Sequence, residues 1–460
     1  MRYVSTRGQA PDLGFADALL CGLATDGGLY VPAEFPKLGM STARTYVERA
    51  VEVMSPFVEP DLDEITLTNL CDEAYSTFRH DAVTPIVQID HRHYVMELFH
   101  GPTLAFKDVA LQLVGRMFDH VLAQRGERVT IVGATSGDTG SAAIDGVAGC
   151  AAVDIVILYP AGRVSDVQRR QMTTVEAPNV HAVAVEGTFD DCQDLVKAMF
   201  NDAPFRERNR LAAVNSINWA RVMAQTVYYA IAAETFAEPV TLSVPTGNFG
   251  NVFAGWIARE MGAPIDGFIV ATNENDILDR WIGSDDMSVR EVIPSLSPSM
   301  DIQVSSNVER LLFEMNGRDG GMTAEQLTRF RATGTLSVEP DQRAAVLDGV
   351  FRSAAINDDA TLAEIRRVHD RADMLIDPHT ATASAAAAML AALDDHARPV
   401  VTMATAHPAK FPDAVEQATG VHPALPDHLA DLFERQERTT TVAADLAEVE
   451  ALVEQLTSGS

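Results

Sequence analysis

From Val129 onward the chain alternates short runs of β-branched residues with helical patterns, and this alternation restricts its possible folds more than any other feature. VTIVG (129–133), VDIVILYP (153–160) and VHAVAVEG (180–187) predict buried strands. GSAAIDGVAG and the amphipathic FDDCQDLVKAMFND (189–202) predict helices. LAAVNS (211–216) leads into a long helix, NWARVMAQTVYYAIAAETF (218–236). VTLSVP (240–245), NVFAGWIAREMG and DGFIVATN (266–273) then repeat the unit. Strands separated by helices pair in parallel, because each crossover returns the chain to the same edge. The class is α/β, with doubly wound parallel sheets. Residues 1–85 differ: Pro and Gly breaks surround two helices, predicted at 41–55 and 64–79, and mark a smaller N-terminal domain. Segment 274–345 lacks the clean alternation, and the tail from Thr439 has an acidic, helical pattern.

Charge narrows the partners. With 35 Lys+Arg against 65 Asp+Glu, the net charge is −30, which repels phosphate backbones and acidic lipid surfaces. Neither nucleic-acid nor membrane binding is expected. The four cysteines, Cys21, Cys71, Cys150 and Cys192, are widely spaced, and no stretch resembles a leader peptide, so a reducing, cytoplasmic setting is expected. The HRH at 91–93 predicts a polar hairpin, and no metal is expected there. The 35 basic residues include only four lysines: Lys37, Lys107, Lys197 and Lys410. Compositional bias accounts for most of that, since Arg replaces Lys on surfaces at little cost. Arg cannot replace a lysine that must lose its proton and attack a carbonyl.

Four segments carry chemistry. Lys107, in ELFHGPTLAFKDVALQLV, has apolar neighbours whose burial would lower its proton affinity and suit a Schiff-base nucleophile; the alternative is a lysine snorkelling from a helix start beside Asp108. Lys37, in a Pro-flanked loop, and Lys197, beside acids on a helix, are surface residues in this reading. PTGNFGN (245–251) turns from strand to helix, where Gly247 and Gly250 let backbone N–H groups converge and Asn248 and Asn251 add donors. That is either a lysine-free phosphate cradle at the carboxyl end of a parallel strand or plain turn chemistry. ATSGDTGSAA (134–143) places Thr135, Ser136, Asp138 and Thr139 around Gly137 and Gly140, which fits a carboxylate-binding turn or a capped helix start. ATAHPAKF (404–411) gathers Thr405, His407 and Lys410, where a hydroxyl could meet a ring nitrogen; a Pro-led helix start is the alternative. DPHTATASAA (377–386) has the same build. An attacking lysine, a phosphate cup, a substrate clamp and a hydroxyl partner together meet the needs of a pyridoxal phosphate site.

The motifs occur in a recognisable order: RYVSTRG, DGGLYVP, FHGPTLAFKD, GATSGDTGSAA, NSINWARV, PTGNFGN, SPSMDIQVSSNVERLLF, DPHTA and TAHPAKF. Over nearly its whole length the chain resembles the threonine synthase family, in the longer form with an extra N-terminal domain. The resemblance implies the fold type II architecture of the tryptophan synthase β family. It divides a catalytic region, 86–460, into a smaller substrate-side half (about 115–235) and a larger cofactor-phosphate half (about 236–460). By resemblance, Lys107 binds pyridoxal 5'-phosphate, Gly247, Asn248, Phe249, Gly250 and Asn251 hold its phosphate, and Thr405 faces its ring nitrogen. Thr135, Ser136, Gly137, Asp138 and Thr139 match the loop that holds the amino-acid substrate. Arg163, Ser165, Asn215, Asn218 and Arg221 are implied to grip the substrate phosphate. One departure is Asp166, where the family more usually has proline. The implied reaction converts O-phospho-L-homoserine and water to L-threonine and phosphate, by a monomer or a homodimer.

Overall fold

The computed structural model of the chain describes residues 1–212, 216–391 and 398–458. An N-terminal antiparallel pair, β1 (Tyr3–Ser5) and β2 (Tyr30–Pro32), packs with helices Phe15–Cys21, Tyr46–Val58 and Glu64–Tyr75. The first long helix starts later than its composition suggests. Thr45 accepts from the Glu48 N–H at 3.2 Å while the Glu48 carboxylate accepts from the Thr45 N–H at 3.1 Å, a reciprocal cap that fixes the start at Tyr46.

Two sheets make up the rest of the frame. The larger contains β3 (Ile86–Asp90), β4 (His93–Glu97), β9 (Val240–Pro245), β10 (Ile265–Thr272), β13 (Phe351–Ala355) and β14 (Val400–Ala404); the smaller contains β5 (Val129–Ala134), β6 (Val153–Pro160), β7 (Val180–Glu186), β8 (Leu211–Ala212) and β15 (Thr440–Ala443). Spatial order is β13-β10-β9-β14-β4-β3 in the first and β15-β7-β6-β5-β8 in the second. Among the described residues only the β3–β4 pairing is antiparallel within these two sheets. All eight residues of β6 are buried, as expected where helices cover both faces. Segment 274–345 is mainly helical, with a small hairpin of β11 (Met287–Ser288) and β12 (Thr335–Leu336). His93 is buried in β4, its Nε2 2.8 Å from the Thr402 hydroxyl, rather than exposed in the hairpin turn. Among the described residues no helix is long and apolar enough to cross a membrane.

The tail departs from the helical reading. Helix Leu446–Thr457 is there, but β15 precedes it and pairs in parallel with β7, so the last strand belongs to the smaller sheet although it follows the larger sheet's last strand in sequence. Its residues are mostly exposed, so no apolar alternation marks it as a strand.

Helices Lys107–Arg125 and Asp138–Val147 approach backbone to backbone. A Cβ on Gly115 would collide with the Gly146 carbonyl, and one on Gly146 would lie 2.5 Å from the Leu111 carbonyl oxygen. This contact holds the start of the first helix, at Lys107, near the start of the second, at Asp138. Gly115→Ala should therefore destabilise the fold by about 1–3 kcal/mol and weaken the Lys107–Asp138 pairing, read as a lower urea midpoint at unchanged slope. An unchanged midpoint would mean that the helices can separate without cost.

Candidate active site

Lys107, Gly247–Asn251 and Thr405 follow the carboxyl ends of β4, β9 and β14, and Thr135–Thr139 follow β5 in the other sheet. These are the ends where parallel sheets take ligands. Backbone pairing joins two of the segments: Phe106 donates its N–H to Thr405 O at 2.9 Å, and His407 donates to Leu104 O at 3.0 Å. Leu104 itself adopts a left-handed φ of 62°. Asp108 holds that turn, accepting from the Thr103 N–H at 2.8 Å and hydroxyl at 2.6 Å, and Gly101 leaves room for its carboxyl. Burial pushes the Asp108 carboxyl up to about 7, against the opposing pull of the Thr103 hydrogen bond.

Lys107 is buried, and its Nζ lies 3.3 Å from Asp138 Oδ2. Burial lowers its proton affinity, and Lys410 and Arg221 lower it further, while Asp138 opposes them. Asp138 is also buried. Desolvation alone would raise its pKa, but Lys410 and Lys107, with His379 and the Gln168 amide, hold it well below the usual carboxylate range. Lys410 Nζ stands 3.0 Å from the other oxygen of Asp138. The two remaining lysines are exposed: Lys37 donates to Glu260 O, and Lys197 pairs with Asp194.

The Gly247–Asn251 turn directs its carbonyls away from the cleft. Ser305 donates to Gly247 O at 2.7 Å, and Asn307 donates to Asn248 O from both its backbone and its side chain. No acceptor among the described residues meets the N–H groups of Asn248, Phe249, Gly250 or Asn251. Gly250 and Asn251 open helix Gly250–Met261, whose first N–H groups have no intrahelical partner. Gly247 is required by contact, since a Cβ there would lie 2.7 Å from Ser299 O; Phe249 takes the left-handed φ of 64°. Asn251 Oδ1 accepts from Tyr228 and Tyr229, which leaves its buried Nδ2 unpartnered. A concave set of free donors with no acidic side chain among them fits a phosphate. Thr405 is buried, and its hydroxyl makes no hydrogen bond among the described residues. Nearby, burial lowers His407 to about 4, and its Nδ1 accepts from the Ala409 N–H at 3.1 Å, so the imidazole is neutral. The residues present therefore fit pyridoxal phosphate: a reactive lysine, an anion cup and a hydroxyl.

The Thr135–Thr139 loop is ordered from within. Thr135 Oγ1 accepts from Gly137 N at 3.0 Å and Gly140 N at 2.9 Å, which leaves Ser136 exposed and Thr139 half-buried with free hydroxyls. Gly137 has a φ of 144°, and a Cβ there would collide with Gln168. The residues implied to grip the substrate phosphate part company. Arg221 is 4% exposed, and its Nε and Nη1 have no partner among the described residues. Burial lowers it to about 10. Arg163 is exposed in the turn after β6. Ser165 caps helix Asp166–Thr173, and Asn218 caps helix Trp219–Glu234 while its Nδ2 donates to Leu19 O at 2.8 Å. Asn215 lies outside the described residues. Asp166 opens its helix, a position that suits proline's fixed φ and aspartate's charge alike.

Sequence reasoning underrated Lys410 and missed Gln168, Gln171, Ser305 and Asn307. The last two lie in SPSMDIQVSSNVERLLF, whose many polar residues outside any periodic pattern were the available signal. His379, in DPHTA, is held by Asp377 at 2.7 Å and accepts from Ser299 N, supporting the turn against Gly247.

Comparisons with known proteins agree along the chain. A family model described as threonine synthase N terminus matches residues 2–75, one for pyridoxal-phosphate dependent enzymes matches 78–340, and one for the threonine synthase C-terminal part matches 380–453. The chain is 54% identical to a threonine synthase of Pseudomonas aeruginosa, covering 99% of this chain and 98% of that one. The structure of pyridoxal-phosphate-bound threonine synthase from Brucella melitensis superposes with a TM-score of 0.96 at 50% identity, covering 99% of both chains. That of the yeast enzyme superposes at 0.94 with 37% identity, covering 100% of this chain and 99% of that one.

An unpaired buried guanidinium costs folding energy. Arg221→Met should raise the unfolding free energy by about 1–3 kcal/mol, measured by urea denaturation without added ligands. A loss of stability would reveal a structural partner for Arg221.

Proposed function

This chain belongs to the threonine synthase family, and we propose that it converts O-phospho-L-homoserine and water to L-threonine and phosphate. Its cofactor is pyridoxal 5'-phosphate. The observation that carries the substrate reading is Arg221: a buried guanidinium with no partner among the described residues, close enough to Lys107 to affect its charge, supports a phosphorylated substrate. A dehydratase acting on a free hydroxy amino acid would have no use for it.

Bound pyridoxal phosphate supplies the electron sink for charge released at the substrate's α-carbon. Lys107 would attach the cofactor, and its amine would carry protons to and from the substrate carbons. Asn248–Asn251 present their N–H groups to the cofactor phosphate, with the helix dipole behind them. Thr405 would offer a neutral hydroxyl to the ring nitrogen. Ser136 and Thr139 hold the substrate carboxylate, and Gln168 keeps Asp138 in place with a 2.8 Å hydrogen bond. Arg221 grips the substrate phosphate, which leaves from the γ-carbon; water then adds at the β-carbon. The four free cysteines suit a cytoplasmic setting.

With O-phospho-L-homoserine, the purified protein should release phosphate and threonine in equal amounts. Phosphate accompanied by α-ketobutyrate alone would replace this reading with an eliminating lyase. Lys107→Ala should lose the visible absorbance of the bound cofactor. Arg221→Met should raise KM at least about tenfold while keeping the cofactor, whereas loss of the cofactor would assign Arg221 to the cofactor's phosphate.

A further inference from the structure

Both buried lysines of this lysine-poor chain converge on one carboxylate. Lys410 is fully buried: its Nζ donates to Thr103 O at 2.7 Å and to Gln171 Oε1 at 3.1 Å, and it forms an ion pair with Asp138 Oδ1 at 3.0 Å. Gln171 also donates to Thr103 O at 3.0 Å, closing a ring between the loop ahead of Lys107 and the helix after β6. Lys107 approaches the other oxygen of Asp138 at 3.3 Å. The charged groups facing Lys107 are Asp138, Lys410 and Arg221, and His379 adds to the field at Asp138.

One carboxylate cannot neutralise two ammonium groups. With Lys410 paired to it, an ionised Asp138 is already balanced, and a second cation at Lys107 is in excess. Without Lys410, the same carboxylate would pair with Lys107 and hold it as an unreactive ammonium. We propose that Lys410 is a positioning residue for the reaction, taking Asp138 as its own ion-pair partner so that Lys107 stands beside them as a free, nucleophilic amine. The role requires a buried, compact cation, which explains a lysine where most cations of the chain are arginine. It rests on the reading of Lys107 as the cofactor's attachment point.

The test reads Lys107 directly. The full chain, stripped of cofactor, is trace-labelled with acetic anhydride across a pH series, and the labelled fraction of Lys107 is measured by peptide mass spectrometry. Lys410→Gln, whose amide can still donate to Thr103 O, should move the labelling midpoint upward by at least about one unit, because Asp138 then pairs with Lys107. Asp138→Asn should move it downward, because Lys107 loses the carboxylate paired with it and still faces Lys410. Shifts of opposite sign are not what loosened packing would produce. A Lys410→Gln midpoint that stays put or falls overturns the proposal. If that variant does not fold, by circular dichroism, Asp138→Asn decides, and a rise there overturns it. The labelling is read without cofactor, so it stands apart from the Lys107→Ala absorbance test, which alone judges the attachment point.

Discussion

The structure depends on a buried carboxylate shared by two lysines. An ion of that kind costs several kcal/mol to bury and is tolerated only with matched charges and hydrogen bonds around it. Asp138 has these: Lys107 and Lys410 on its two oxygens and a Gln168 amide at 2.8 Å. Its partners come from three separate parts of the chain: the loop after β4, the turn after β14 and the helix after β6. Meeting at one side chain ties the carboxyl ends of the two sheets together. The glycine contact between the Lys107 and Asp138 helices provides the close approach this needs.

Phosphate chemistry in a chain of net charge −30 follows from where the positive potential resides. The global charge acts through solvent and is screened within a Debye length, whereas a buried guanidinium and unpaired backbone N–H groups act inside a low-dielectric cleft. Arg221, Asn251 Nδ2 and the N–H groups of Asn248–Asn251 are such donors. The acidic surface and the anion-binding cleft therefore coexist without conflict.

Much of this could be read from the sequence, because the informative features are local. Strand alternation marks the parallel sheets, and the scarcity of lysine draws attention to Lys107 before any contact is known. The Gly-rich turns lie where a parallel sheet would use them. What could not be read depends on long-range pairing. Nothing near Lys410 announces Asp138, 272 positions earlier, or Thr103, 307 positions earlier. β15 escaped because an exposed edge strand needs no apolar alternation, only β7 to pair with. Ser165 and Asn218 are implied by resemblance to contact ligand; both residue types are also preferred helix N-caps, and both side chains cap a helix.

Of the four lysines, the one proposed to carry the cofactor is Lys107, beside the Asp138–Lys410 ion pair. Borohydride reduction of the holoenzyme fixes the cofactor covalently to its lysine, and peptide mass mapping then identifies the site. The pyridoxyl mass should appear on Lys107 alone. Its appearance on Lys410, or its spread over Lys37 and Lys197, would contradict the account.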